Sequence, residues 1–412
     1  MSLPATYATY HWTHCNPFAV TQIDQTGIAQ VRVNYKENPL MQLRGSKQAV
    51  VAGGAVLAAL ALAACSSSSS SSSSSSAPGA TGTSTATGGS TTGASSASGT
   101  INASGSTFQT NFQQAAIQAF KAISPKITVN YSPVGSGTGR NNLAASTVLF
   151  AGSDSPIPSS ETANFKGKKV LYFPVQIGPI AMAYNLSGVS NLKLDSAALA
   201  GIFQGTIKTW DDAAIKALNP GVSLPSTPIT IVVRSDSSGT TANFSQYMVD
   251  AAGSAWKLGT ASTITWPSTA RAANGGSGVA TAIKGTSGAI GYVDDSTAKA
   301  AGLSTALVKN KDGDFVAPSS ASAAAAATHV TPSSDLTFLT VDQPGATSYP
   351  IAYQSWDLVY AKQPNANDVA LLKAYLGYLL GDGQQLLTPL GLAPLPSGID
   401  SKAVAQLDQI TS

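Results

Sequence analysis

From about Ile101 onward, apolar residues fall into short runs that alternate between two spacings. Ile127–Tyr131, Val170–Val175, Ile229–Val233 and Ala289–Val293 are compact apolar runs and read as strands. Phe112–Ile123, Phe244–Ala251 and Val369–Leu380 show helical spacing. Strands alternating with helices predict an α/β fold with largely parallel sheets. The roughly 310 residues after Ile101 suggest two domains by length alone. No internal repeat is visible.

Upstream the pattern changes twice. Met41 is followed by Arg44 and Lys47, and then by an unbroken apolar and small-residue run, Ala49 to Ala64. This run is too short to span a bilayer comfortably and reads as the core of an export signal. It ends in Leu62-Ala63-Ala64-Cys65, which resembles the lipobox of bacterial lipoproteins. That resemblance implies cleavage before Cys65 and a diacylglyceryl group on its sulfur, so that 41–65 is a lipoprotein signal peptide. Residues 1–40 fit nothing in this scheme and read as an over-extended N-terminus. Ser66 to Ser76 is unbroken serine, and Gly, Ser, Thr and Ala continue to about Thr100. Such a tract buries too little apolar surface to offset the entropy of ordering it, so 66–100 is expected to be a disordered linker. As a flexible coil it reaches roughly 30–35 Å. That suits a tether from a membrane or through a cell wall, or a plain spacer.

Composition narrows the chemistry. The chain has 412 residues, 10% charged, with a net charge of +3, and its Lys and Arg are scattered. With no basic stripe and no interleaving of basic and aromatic residues, nucleic acid is not an expected partner. Cys15 and Cys65 are the two cysteines, so the region beyond residue 65 has no disulfide, no Cys-ligated metal and no thiol nucleophile. Of the three histidines, only His329 lies in that region. A phosphatase or serine hydrolase needs an activated nucleophile and a base, and His329 sits in a Ser/Ala/Thr-rich stretch. No metal or cofactor is implied.

Four segments place glycines and small hydroxyl residues at strand ends, most of them leading into a helical pattern. They are Ser104-Gly105-Ser106-Thr107-Phe108, Gly135-Ser136-Gly137-Thr138-Gly139, Gly152-Ser153-Asp154-Ser155-Pro156 and Arg234-Ser235-Asp236-Ser237-Ser238-Gly239-Thr240. A helix N-terminus offers unpaired N–H groups and a positive dipole end, which favours an anion. Glycine permits close approach, and Ser and Thr add hydroxyl donors. The same residues also cap helices that bind nothing. Four such segments in one chain, one with an arginine, point to an oxyanion site.

In this order, the segments resemble the PstS-type phosphate-binding proteins of phosphate ABC transporters. The resemblance runs from about Ile101 to the C-terminus and includes Phe173-Pro174-Val175, Gly205 to Asp212, Leu218-Asn219-Pro220-Gly221, Thr265-Trp266-Pro267 and Gly288 to Val293. It implies a periplasmic-binding-protein clamshell, type II-like, with a two-crossover hinge near Phe173–Ala183 and Tyr349–Trp356. Domain I would hold 101–178 and 351–412, and domain II 179–350. It further implies that Thr107 and Phe108 (through its N–H), Ser136, Ser238, Gly239 and Thr240 donate to phosphate. Asp154 would accept, Arg234 would bind as a cation, and Asp236 would orient Arg234. Gly137, Gly139 and Asn274 are weaker candidates. Leu149 stands where many relatives carry an acidic residue, and Arg140 is expected to be solvated on its helix. The implied protein is a lipid-anchored, extracytoplasmic monomer that delivers phosphate to ABC permease subunits. A binder of sulfate or molybdate, a surface antigen and a phosphatase-like enzyme are the alternatives. Asp154 argues against sulfate, which has no proton to offer a carboxylate.

Overall fold

The computed structural model describes residues 97–412. The expected over-extended N-terminus 1–40, the expected signal peptide 41–65 with Cys65, and the expected linker up to residue 96 lie outside the described residues. The described residues form twelve strands: β1 Gly99–Gly105, β2 Ile127–Pro133, β3 Phe150–Ser153, β4 Val170–Tyr184, β5 Lys193–Leu194 and β6 Thr230–Arg234, then β7 Arg271–Ala273, β8 Ala289–Asp294, β9 Ser304–Thr305, β10 Leu307–Lys309, β11 Phe315–Val316 and β12 Ala352–Tyr360. One large sheet runs β2-β1-β3-β12-β4-β8-β6-β7, with β9 added to β4, while β11, β10 and β5 form a small one.

The sheets are mixed, which corrects the expectation of largely parallel ones. β1 pairs in parallel with β2 and β3, and β6 with β7 and β8. Between these two parallel groups lie β4 and β12, antiparallel to each other and to the strands they join. The Val170–Val175 run is only the first part of β4, which continues through two prolines to Tyr184. Each proline falls where a missing N–H costs little. Pro174 faces Trp356 where the β4–β12 register shifts, and Pro179 is the last residue paired with β12 before the ladder passes to β8 at Ile180. β4 thus belongs to both halves of the large sheet.

Helices cover the sheet through faces the sequence pattern marks. Helix Thr110–Ile123 buries Phe112, Ala116 and Phe120 at four-residue intervals, and Phe120 meets Tyr375 of helix Ala366–Leu380 edge-on at 5.1 Å. Helix Gly239–Ala252 buries Phe244, Tyr247 and Met248, with Phe244 stacked on Tyr292 of β8 at 4.7 Å. It begins five residues before the apolar run does. Its first turn, Gly239-Thr240-Thr241, is polar in sequence yet buried, because other loops rather than core pack against it. Two of the sequence motifs are structural: buried Trp210 donates its indole N–H to Gly288 C=O at 3.0 Å, and Trp266 packs on Phe203 and Tyr292.

Candidate anion-binding site

The four glycine- and hydroxyl-rich segments converge, and their glycines are the reason they can. A Cβ on Gly105 would lie 2.1 Å from Gly152 O, and one on Gly139 would lie 2.5 Å from Gly105 Cα. Loops after β1, β2 and β3 therefore touch backbone to backbone. The fourth segment closes over them: a Cβ on Gly239 would come within 2.6 Å of Asp154 Oδ2 and Ser136 Oγ. Gly137 N–H donates to Ser237 C=O at 3.0 Å, joining the second segment to the fourth.

The convergence concentrates hydrogen-bond donors. Two helices point their N-termini inward, Ser136–Ala144 and Gly239–Ala252. At the second, Ser238 N–H donates to Ser262 C=O, and Ser238 Oγ caps the helix by accepting from Thr241 N–H at 3.2 Å. Among the described residues, the N–H groups of Gly239 and Thr240 find no partner, nor does that of Ser136. These are the orphan donors of a helix start, placed at one spot. Thr107 is half-buried beside Gly275 and Gly276. Phe108 N–H, a donor in the implied ligand set, points instead to Ser106 Oγ at 3.0 Å. The Phe108 ring is core, stacked on Tyr353 at 4.0 Å. Asn274 is exposed and leads into helix Gly275–Lys284.

Two acidic groups have opposite roles. Arg234, buried at the end of β6, pairs through Nε and Nη2 with Asp236, whose Oδ1 also accepts from Gly275 N–H at 3.0 Å. Burial pushes the Asp236 carboxyl up, but the hydrogen bond and charge of Arg234 outweigh it and hold the group below its ordinary range. Asp154 is 1% exposed and carries no such direct partner. Burial pushes it up to about 6, against hydrogen bonds from Ser106, Ser355 and Ser136 and the charge of Arg234. A group at about 6 is mainly ionised at neutral pH, an acceptor set among donors.

Residues 90–382 match the profile of the PBP superfamily domain. Phosphate-binding protein PstS 3 of Mycobacterium leprae is 37% identical over 310 residues, which cover 72% of this chain and 83% of that protein. Phosphate-binding protein PstS 2 of Mycobacterium tuberculosis is 35% identical over 321 residues, covering 74% and 86%. The chain belongs to the PstS phosphate-binding protein family. Its fold is shared with the solved structure of the high-affinity periplasmic phosphate-binding protein PfluDING bound with phosphate, at a TM-score of 0.63 and 23% identity over 75% of this chain and 94% of that one.

Within this PstS member, several residues around the site had no signal in the sequence reading. Ser355 donates to Asp154 Oδ1 at 2.6 Å from 201 positions away. Asn243 and Gln354 grip the Asp154 carbonyl at 2.6 and 3.2 Å and bond each other at 3.0 Å. Arg140 corrects an expectation, since its side chain is fully buried rather than solvated. It pairs with Glu161 and donates to Ser153 and Ser155, fixing the residues on both sides of Asp154. A lone arginine after a glycine loop gives no hint of a partner 21 residues on. His329 is exposed beside Gly345, and among the described residues no hydroxyl of the site bonds an imidazole.

Proposed function

We propose that the chain binds inorganic phosphate where the four loops meet and delivers it, outside the cytoplasm, to the permease of an ABC importer. The observation that carries this reading is Asp154, a buried carboxyl group set among N–H and O–H donors. Such a pocket suits an oxyanion that still carries a proton, because the donors hold its bare oxygens and the carboxylate accepts its O–H. Thr107, Ser136, Ser238, Gly239 and Thr240 supply donors, and Arg234, steadied by Asp236, supplies the positive charge. The Phe108 N–H joins them if it exchanges Ser106 Oγ for a ligand oxygen.

The relatives named above are phosphate-binding proteins, which supports the same ligand here. In this reading 101–178 with 351–412 form one lobe and 179–350 the other, hinged at β4 and the start of β12. Donors from both lobes then reach one ligand, and the closed form is favoured because only it satisfies both sets. Calorimetry with phosphate, sulfate and molybdate on the purified protein tests the reading. Phosphate is expected to bind far more tightly than either of the others; equal affinity for sulfate would overturn it.

In this reading the anchor is the Cys65 sulfur, on the strength of the Leu62-Ala63-Ala64-Cys65 lipobox. Cys65→Ala is expected to move the protein from the membrane fraction to the soluble extracytoplasmic fraction. A variant still membrane-bound after high-salt washing would remove the lipid anchor from the picture.

A further inference from the structure

Behind Asp154 runs a buried line of hydrogen bonds that all point the same way. Tyr375 O–H donates to Gln113 Oε1 at 2.7 Å, and Gln113 Nε2 donates to Gln109 Oε1 at 3.0 Å. Gln109 Nε2 donates to Ser355 Oγ at 2.8 Å, and Ser355 Oγ donates to Asp154 Oδ1 at 2.6 Å. Every residue in the line is fully buried or nearly so.

At Gln109 its direction is fixed by a group that can act in one sense only. Gln109 Nε2 also donates to the Trp356 carbonyl at 3.1 Å, and a carbonyl can only accept, so the amide cannot be turned round. Gln113 Nε2 faces the Asp357 carboxyl at 3.2 Å, a weaker constraint, because burial pushes that carboxyl up to about 7 and its protonated form can also donate. Ser355 Oγ already accepts from Gln109 and has a single proton left. Its partners for that proton are Asp154 Oδ1 and, more distantly, Ser153 C=O at 3.4 Å.

We propose that Ser355, oriented by Gln109, is a positioning residue that fixes Asp154 as an acceptor and turns its Oδ2 toward the ligand. The proposal rests on the phosphate reading and adds how the carboxylate is held ready for it. With Oδ1 tied to Ser355, the oxygen left on the open face is Oδ2. It accepts from Ser136 Oγ at 3.3 Å and lies beside the unpartnered N–H groups at the start of helix Gly239–Ala252. A hydrogen bond donated to a carboxylate favours its charged form and opposes the upward push of burial. The other charged or titratable groups around Asp154 are Arg234 from β6, Tyr131 from β2 and Tyr353 from β12. Arg140 holds Ser153 and Ser155 on either side, and Asp357 stands at the far end of the line.

The test is a set of phosphate and sulfate titrations from pH 5 to 8.5 on wild type, Ser355→Ala, Ser355→Thr and Gln109→Met. In wild type the preference for phosphate should weaken as pH falls through about 6, where Asp154 gains a proton and becomes a donor. Loss of the Ser355 hydroxyl should move that midpoint up by about one to two pH units, from the usual strength of a hydrogen bond to a charged group. At pH 7 the preference for phosphate should then fall by about tenfold or more. Ser355→Thr, which keeps the hydroxyl, should restore the wild-type midpoint. Gln109→Met should shift it the same way by less, because Ser355 is freed to turn toward Ser153. Phosphate's own titration is common to all four proteins and cancels in the comparison. A midpoint unmoved in both Ser355→Ala and Gln109→Met, with both anions merely weakened alike, would overturn the proposal. Absence of any phosphate preference in wild type would instead overturn the phosphate reading itself.

Discussion

Arg234→Ala is expected to raise the dissociation constant for phosphate at least about tenfold, since a charge-assisted hydrogen bond contributes about 1.5–3 kcal/mol. The structure gives a reason to expect more. Arg234 is buried, and it also neutralises Asp236, whose carboxylate is mostly buried. Removing the guanidinium leaves that carboxylate without its cation close to the incoming anion, so like-charge repulsion adds to the lost hydrogen bonds. The sign of the pH dependence follows. With Arg234 present, Asp236 is held below its ordinary range; without it, burial is the largest remaining influence and pushes the group up. Protonation at lower pH then relieves the repulsion, so the variant should recover part of its affinity as pH falls. Arg234→Ala combined with Asp236→Asn should recover part of it at neutral pH as well. Isothermal titration of the three proteins across pH checks both statements. A dissociation constant unchanged in Arg234→Ala would place the anion elsewhere.

That paired arrangement follows from the family resemblance, and it is local: Arg234, Asp236 and the glycine that follows occupy one short stretch. The same holds for all four loops: each is a local pattern of Gly, Ser and Thr at a strand end, and local patterns survive in sequence. What escaped reading is non-local. Ser355 lies in the interior of β12, where a lone serine in a buried strand looks like any small residue. Its partner Gln109 is at the start of a helix 246 residues away. The extent of β4 was hidden for a related reason. Two prolines in an apolar run argue against a central strand, and only the register shift at Trp356 and the change of partner after Pro179 make them tolerable. Likewise Arg140, on a short helix of mostly small and polar residues, looks solvated until Glu161 folds back onto it. Periodicity reports which face of an element is buried, not which distant polar group meets it there.

Asp154→Asn is expected to have the largest effect of all, and on selectivity rather than on affinity for phosphate alone. Near neutral pH phosphate keeps a proton and sulfate has none. An ionised carboxylate has only acceptor lone pairs, so it accepts phosphate's O–H and meets sulfate as a bare like charge. A site built on one buried hydrogen bond can reject the analogue that lacks it by about 10⁴–10⁵-fold. The neighbours of Asp154 determine what asparagine does in its place. Ser355 still donates toward the position of Oδ1 at 2.6 Å, a closer bond than the 3.3 Å one from Ser136 to Oδ2, so the asparagine oxygen should settle there and its Nδ2 should take the position of Oδ2, facing the ligand. An N–H donor in that place welcomes a sulfate oxygen and has nothing to accept from phosphate's O–H. Sulfate should therefore gain affinity while phosphate loses some, and the ratio of the two should narrow by orders of magnitude. Burial supports the exchange, since removing a carboxylate that desolvation pushes up to about 6 costs the fold little. Paired titrations of phosphate and sulfate on wild type and variant, at one pH and one salt concentration, measure the ratio directly. The same ratio in both proteins would mean that Asp154 does not select the ligand, and that discrimination lies among the donors.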